Sequence, residues 1–174
     1  MKKLSFLLFV TALLVVTVTI QSCSETPVTP VVTEVIATNA SFANYTTFTL
    51  ESTSNGPSPS LGAAHSGNDT SVVRKVYFKN GQNKVNGTYP LGTVIVKSAK
   101  NSSGTVNETL GMVKRGNAFN SAAGNWEWFM LAEDGKILKD ANGMEMRGGA
   151  TLMNGMCNGC HGAAQAKDFV FSKI

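Results

Sequence analysis

Short runs of β-branched and aromatic residues, separated by turn-forming residues, impose the strongest constraint on the fold of this chain. Their spacing, with good turn sequences at NSSG (101–104) and EDG (133–135), favours a mostly antiparallel sheet. Only the segment from about 148 to 164 has helical character. We therefore predict a mainly β domain, an antiparallel sheet with few helices and one C-terminal helix, for which α+β is the alternative label. The predicted strands are YTTFTL (45–50), SVVRKVYF (71–78), GTVIVKSA (92–99), TVNETLGMVKR (105–115) and WEWFMLA (126–132).

The N-terminus has the charge and hydropathy pattern of an export signal. Lys2 and Lys3 precede an uncharged apolar run that is too short and too terminal to favour a resident membrane span. The run closes with IQSC (20–23), which resembles a bacterial lipobox, in which Cys23 receives lipid and becomes the mature N-terminus. An ordinary signal peptide followed by an unrelated cysteine is the alternative. We expect an exported lipoprotein of the bacterial cell envelope. Ser24 favours the outer membrane, on either its periplasmic or its cell-surface face.

Composition divides the sequence into three parts. Residues 1–22 are the predicted lipoprotein signal peptide. Residues 23–44, rich in Pro, Thr, Val and Ser, are predicted to be a flexible tether. Residues 45–174 are predicted to form one globular domain, and the Gly-, Ser- and Pro-rich stretch 52–69 within it is predicted to be a long loop.

Charge and cysteine content exclude several classes of protein. Cleavage of the signal peptide removes two of the 15 basic residues and none of the 11 acidic ones, which leaves a net charge of +2. This bias is too weak to indicate a nucleic-acid partner. Of the three cysteines, Cys23 belongs to the lipobox. Since Cys157 and Cys160 stand only three positions apart, no cysteine remains for a structural disulfide.

Cys-x-x-Cys-His at 157–161 carries the most specific chemistry in the sequence. It is the attachment pattern of c-type haem, in which two thiols add to the haem vinyl groups and the histidine ligates the iron. A zinc site would have only His65 and carboxylates to complete its ligand set, and a thioredoxin-like dithiol lacks its βαβ surroundings. We predict one covalent haem c, held by Cys157 and Cys160 with His161 on the metal. No Met or His follows His161, so the sixth coordination position of the iron is either open or occupied by a residue that precedes the pattern.

Longer segments resemble those of a known family. VRKVYFKNG (73–81), YPLGTVIVKSAK (89–100), GMVKRGNAFNSAAGNWEWFML (111–131) and MCNGCHGAAQAKDFVFS (156–172) look like segments of the cytochrome P-460 family, which includes the cytochromes c′-beta. The similarity covers roughly residues 45–174. It implies a mainly antiparallel β fold, commonly dimeric, with the haem attached at the C-terminal helix. It also implies a c-type haem with one protein ligand and an open distal side for small nitrogen species.

Two basic residues on the predicted strands are candidate catalytic and haem-binding residues. Arg74 lies on an otherwise apolar strand face, so its guanidinium is either buried against an anion, such as a haem propionate or a distal ligand, or exposed at an edge. The resemblance places an arginine of this strand in the haem pocket. Lys97, on pattern alone a solvated lysine, aligns with the lysine that is cross-linked to the haem in true cytochromes P-460. Such a bond needs a neutral amine in a desolvated site. Ser98 follows Lys97 at a position where members of the family often carry Glu.

The distal side is expected to be mostly apolar. Hydroxylamine-oxidising relatives place an acidic residue in the strand that precedes a Val-Lys pair. Aligning that pair on Val113-Lys114 puts Leu110 at the acidic position, with Glu108 two residues earlier. Leucine takes no proton, which favours a neutral diatomic gas. His65, in a Gly/Ser loop, is a distal base, a packing group or, as we favour, a surface residue. Apolar walls are expected from Phe78, Trp126, Trp128, Phe129 and Met130, and packing roles for Met112, Met144, Met146, Met153 and Met156.

These features predict a lipid-anchored monohaem c-type cytochrome with an open distal site, which binds or redox-processes nitric oxide or hydroxylamine. A gas-binding haem protein is favoured over a hydroxylamine or nitric oxide oxidoreductase. The alternatives are a six-coordinate electron-transfer cytochrome c and a non-catalytic haem module of the envelope. Expected partners are a small nitrogen-containing ligand, a redox partner protein, the membrane through the lipid anchor, and a second copy in a homodimer.

The lipobox generates a test of anchoring. We expect the wild-type protein to fractionate with membranes and Cys23→Ala to move to the soluble fraction, because the lipid supplies the membrane affinity. Immunoblots of the two fractions measure the change. Ser24→Ala, which leaves the cysteine in place, is the matched control. Membrane association that is unchanged in Cys23→Ala would refute the anchor.

Overall fold

The computed structural model describes residues 33–171, which form a six-stranded antiparallel sheet with two short α-helices. Each strand pairs with the next one in the chain, so the sheet order is β1 to β6. No helix within this part of the chain has the length and apolar character that a bilayer crossing requires. The predicted mainly β fold with a C-terminal helix is confirmed. The strands are β1 Thr49–Asn55, β2 Val73–Phe78, β3 Val94–Lys100, β4 Asn107–Lys114, β5 Trp126–Leu131 and β6 Arg147–Gly148, and the helices are α1 Asn39–Phe42 and α2 Met156–Gly162.

The register from β2 to β5 aligns side chains in rows across the sheet. Val76 pairs with Lys97, Lys97 with Leu110, and Leu110 with Met130. Directly paired residues project to the same side of a sheet, so this row lies on one face, which we call the cavity face. A second row on the cavity face consists of Phe78, Ile95, Met112 and Trp128.

The opposite face of the sheet buries the segment that precedes β1. Phe42 is fully buried there, with its ring centroid 4.8 Å from that of Phe129. Gly111 in β4 permits this approach, because a Cβ at that position would lie 2.8 Å from the Phe42 ring. Glu34 forms an ion pair with Arg115 at 2.7 Å. Residues 33–44, assigned from composition to the tether, are therefore part of the packed domain. The tether prediction stays a prediction for 23–32, which, like the signal peptide, lie outside the described residues.

Three element boundaries differ from those predicted. Tyr45–Thr47 forms a 3₁₀ turn instead of a strand, and β1 occupies Thr49–Asn55, where the loop prediction for 52–69 begins. The predicted helix over 148–164 is α-helical only in Met156–Gly162. It is shortened because Met153 and Asn154 have left-handed backbone conformations (φ 52° and 55°), which an α-helix does not tolerate.

The packing of the N-terminal segment generates a stability prediction. Phe42→Ala should lower the free energy of unfolding by about 3–5 kcal/mol, because it leaves a cavity beneath the sheet. Ile36→Ala is the control from the same segment, since Ile36 is 61 % exposed and its loss should change stability by no more than about 0.5 kcal/mol. Denaturant unfolding curves compare the two. Equal, small effects would contradict the packing of this segment.

Candidate haem site

A cavity of about 280 Å³ lies over the cavity face of the sheet. The sheet contributes both side-chain rows to its lining except for Phe78, which, like Trp126, was expected in the wall and instead packs in the core beside it. The remaining walls come from the loop at 61–65 and the segments 152–161 and 170–171. Most of these side chains are apolar, which suits a large hydrophobic ligand. The apolar lining includes Leu61, Val76, Ile95, Leu110, Met112, Trp128, Met130, Leu152, Val170 and Phe171.

Helix α2 presents both thiols and the imidazole of the Cys-x-x-Cys-His pattern to this cavity. Cys157, Cys160 and His161 all line it, because residues three and four apart share one face of a helix. Both cysteines are free thiols. Burial raises the pKa of the Cys157 thiol, so this group is protonated at neutral pH.

The His161 ring is fixed in one orientation. Its Nδ1 lies 2.7 Å from the carbonyl oxygen of Phe169, a group that only accepts, so Nδ1 carries the proton and Nε2 is left as the free donor of an electron pair. The rings of Trp128 and Phe171 pack on it, with centroids at 4.6 Å and 5.4 Å. Burial, reinforced by the charges of His65 and Lys97, lowers the pKa of His161 to about 4. The imidazole is therefore neutral at physiological pH, the form that ligates metals.

A pair of asparagine side chains holds α2 against the sheet. Asn158, inside the Cys-x-x-Cys pattern, exchanges two amide hydrogen bonds of 2.9 Å with Asn120. The Asn158 oxygen also accepts a 2.7 Å bond from the indole nitrogen of Trp128, the residue on which His161 packs. Sequence reasoning missed both asparagines, since the positions between the cysteines carry no fixed chemistry. The hydrogen bonds of these two amides hold α2, and with it the His161 ring, against Trp128.

Three ionisable side chains enter the otherwise apolar cavity from the sheet and the loop. Lys97 and Glu108 come from β3 and β4, and His65 from the loop. Burial, with a smaller contribution from the charge of Arg74, lowers the pKa of Lys97 to about 8. The neighbouring His65 holds the pKa of Glu108 below its ordinary value, although His65 Nδ1 and Glu108 Oε2 are 3.6 Å apart, an ion-pair distance without a hydrogen bond.

The preference for a surface position of His65 was wrong, because its ring lines the cavity. Leu110 and Glu108 both line it as well, two positions apart on one strand face, so the carboxylate reaches the cavity without any change of strand register. Lys97 is directly paired with Leu110. The structure thus brings together Lys97, Leu110, the two cysteines and His161.

Arg74 is buried but does not line the cavity. Its guanidinium donates hydrogen bonds to the carbonyl oxygens of His65 (2.9 Å), Gly56 (2.7 Å) and Ser66. Arg74 is only 2 % exposed, which excludes the alternative of an exposed arginine at a strand edge. Its partners within the described residues are neutral carbonyls, so Arg74 acts on the cavity through the loop that carries His65. This role depends on the path of the loop, which no local sequence pattern indicates.

The donor set fits a c-type haem. Two thiols and one neutral imidazole with a free Nε2 stand on a single helix and face an apolar cavity. Within residues 33–171, no three His, Cys, Asp or Glu side chains converge as a site for a free metal ion, which leaves the zinc alternative without a ligand set.

The chain matches the model of a known protein family. The family model described as Cytochrome P460 matches residues 57–172, two thirds of the chain. The matched region contains β2 to β6, the loop with His65, and α2. No curated protein and no solved structure matched the chain.

The lowered pKa of Lys97 generates a pH prediction. Between pH 8 and the ordinary value of 10.5, the unfolded chain holds a proton on this amine that the folded chain has lost. The free energy of unfolding should therefore rise with pH across this window, by at most about 1.4 kcal/mol per pH unit from this group. Chemical denaturation from pH 7.5 to 10.5 measures it, and Lys97→Met should abolish this component. An identical pH slope in both proteins would contradict the desolvated amine.

Proposed function

The chain belongs to the cytochrome P460 family, which implies a haem cofactor, and we propose that it is a lipid-anchored c-type cytochrome whose distal cavity binds small nitrogen species, nitric oxide above all. The observation that carries this proposal is the convergence of Cys157, Cys160 and His161 on one wall of an apolar cavity, with His161 Nδ1 already bonded to Phe169. Cys157 and Cys160 would hold one haem by thioether bonds, and His161 Nε2 would ligate the iron. Bound haem supplies a redox-active iron with a coordination position for the nitrogen ligand.

The sheet rows support a preference for a neutral ligand. Leu110 and Met130 stand side by side in β4 and β5, where an acidic residue in the strand would be needed for proton removal. An apolar wall excludes water and contributes no charge, and a neutral diatomic gas needs neither a base nor a counter-ion. Lys97, in the same row, is the candidate for the additional link to the haem that the family relationship implies.

Hydroxylamine oxidation is the second candidate, and the position of Glu108 favours it. The Glu108 carboxylate lines the same cavity and is held ionised beside His65, so it is a group able to accept a proton. Arg74 would support this function by fixing the loop that brings His65 to the carboxylate. The choice between the two candidates therefore depends on whether Glu108 reaches the reacting ligand.

The mode of haem attachment is tested by extraction. Haem should stay with the wild-type chain in acidified organic solvent, because thioether bonds survive acid, and should be released from Cys157→Ala/Cys160→Ala. Absorbance of the organic phase measures the release. Cys23→Ala, which alters the cysteine outside the pattern, should retain the haem. Extraction of haem from the wild-type protein would overturn covalent attachment.

Ligand binding and turnover separate the candidate functions. The ferrous wild-type protein should bind nitric oxide and carbon monoxide, with little or no hydroxylamine oxidation, and Leu110→Glu should raise that turnover by about 10²-fold or more by adding a base. Optical titration and a hydroxylamine oxidation assay with an artificial electron acceptor measure these outcomes, and Leu110→Gln is the isosteric control for Leu110→Glu.

Two results would contradict nitric oxide binding as the principal function. Fast wild-type oxidation of hydroxylamine that Glu108→Gln abolishes would establish the second candidate. A low-spin ferrous spectrum that is indifferent to carbon monoxide would support the six-coordinate electron carrier. A redox partner, a homodimer and an outer-membrane position remain predictions from the sequence and the family.

A further inference from the structure

A buried ion pair stands behind the carbonyl group that orients His161. Lys114, at the end of β4, places its amine 2.6 Å and 2.8 Å from the two carboxylate oxygens of Asp168. Both side chains are almost completely buried. Lys114 is the lysine of the Val113-Lys114 pair. It has no role in the proposed ligand binding or haem attachment.

Asp168 is tied down at two further points. One carboxylate oxygen accepts a 2.8 Å hydrogen bond from the backbone N–H of Tyr89, and the backbone carbonyl accepts a 2.8 Å bond from the Trp126 indole N–H. The Lys114 amine also lies 5.1 Å from the centre of the Trp126 ring, within cation–π range. Lys114 of β4 and the loop residue Tyr89 thus fix the side chain of Asp168, and Trp126 of β5 fixes its backbone.

The backbone next to this anchor has an unusual conformation. Asp168 and Phe169 both have positive φ, 56° and 63°. Such a conformation is costly for a bulky residue such as phenylalanine and persists where the surroundings impose it. Gly124 accommodates the turn, because a Cβ there would lie 2.8 Å from an Asp168 carboxylate oxygen and 2.9 Å from the Phe169 ring. The turn directs the Phe169 carbonyl at His161 Nδ1.

We propose that Lys114 and Asp168 are positioning residues for His161, the residue that would ligate the iron: their ion pair imposes the Asp168–Phe169 turn and so fixes the hydrogen bond from His161 Nδ1–H to the Phe169 carbonyl. This inference rests on the proposed ligation of haem iron by His161. A strong bond at Nδ1 makes an imidazole a better electron donor at Nε2 and stabilises the higher oxidation state of a bound metal. The ion pair therefore sets the electron density at the ligand from one residue away, without contacting it.

The test is a charge-neutral double variant, Lys114→Met/Asp168→Asn, of the haem-loaded protein. Removing both partners avoids an unpaired buried charge, and asparagine tolerates the positive φ at 168. The iron–histidine stretching band in the resonance Raman spectrum of the ferrous protein and the reduction potential are measured. With a weaker Nδ1 bond, the band should shift to lower frequency and the potential should shift upward. Trp126→Phe removes the bond to the Asp168 carbonyl but keeps an aromatic ring beside Lys114, and it should shift both quantities in the same direction by less.

The matched control is a second buried ion pair on the opposite face of the sheet. Arg147 binds Glu127 through two contacts of 2.7 Å and 3.0 Å, and Glu127 is 1 % exposed. The melting temperatures of both double variants are measured, and Glu127→Gln/Arg147→Met should leave the Raman band and the potential at their wild-type values.

The outcomes distinguish this inference from the proposed function. A wild-type protein without a histidine-ligated haem would refute the proposed function. A wild-type protein with that haem, whose band and potential are unchanged in both Lys114→Met/Asp168→Asn and Trp126→Phe, would overturn the positioning role alone. If the double variant does not load haem, the shift or its absence in Trp126→Phe decides. Equal shifts in the Glu127/Arg147 control would also overturn the role, because the effect would then reflect general destabilisation.

Discussion

The continuous register of β2 to β5 is the constraint on which the rest of this structure depends. Each strand contributes alternate side chains to two different cores, so a slip of one residue would move Lys97 and Leu110 out of the cavity and Val96 and Gly111 into it. The opposite face is closed by Phe42, which requires glycine at 111. The two cores therefore fix each other: the packing that closes one face specifies which residues the other face offers to a ligand.

The last residues that the structure describes, which include the Cys-x-x-Cys-His pattern, close the cavity. Helix α2 is short and gains its place from Asn158, which bonds to Asn120 and Trp128 of the sheet domain. The segment after it returns to the sheet and supplies the Phe169 carbonyl for His161.

Much of the fold followed from the sequence, and the reason is local. β2 to β5 were predicted because they are rich in β-branched and aromatic residues and are bounded by turn residues. Cys157, Cys160 and His161 were predicted because Cys-x-x-Cys-His is a local pattern with a specific chemistry, and helical spacing brings the three side chains to one side. The strand predicted to begin at Tyr45 was wrong there, because aromatic residues favour strands but also fill cores from 3₁₀ turns. The contacts of Arg74 with the loop at 56–66, the inward position of His65, and the pairing of Lys114 with Asp168 across 54 residues have no local signature. They depend on the path of the whole chain.

The neighbour-to-neighbour order of the strands has a consequence for how the protein is assembled. Pairing between strands that are neighbours in sequence closes smaller loops than pairing between distant strands, and such local contacts favour early formation during folding. We therefore expect the sheet to form before the segment 156–171 docks on it. We expect the thiols and the imidazole to be the last groups buried, which gives a wide, rigid, planar molecule time to enter from the side. The sheet would thus form the first wall of the cavity, and the segment with Cys157, Cys160 and His161 would close it last.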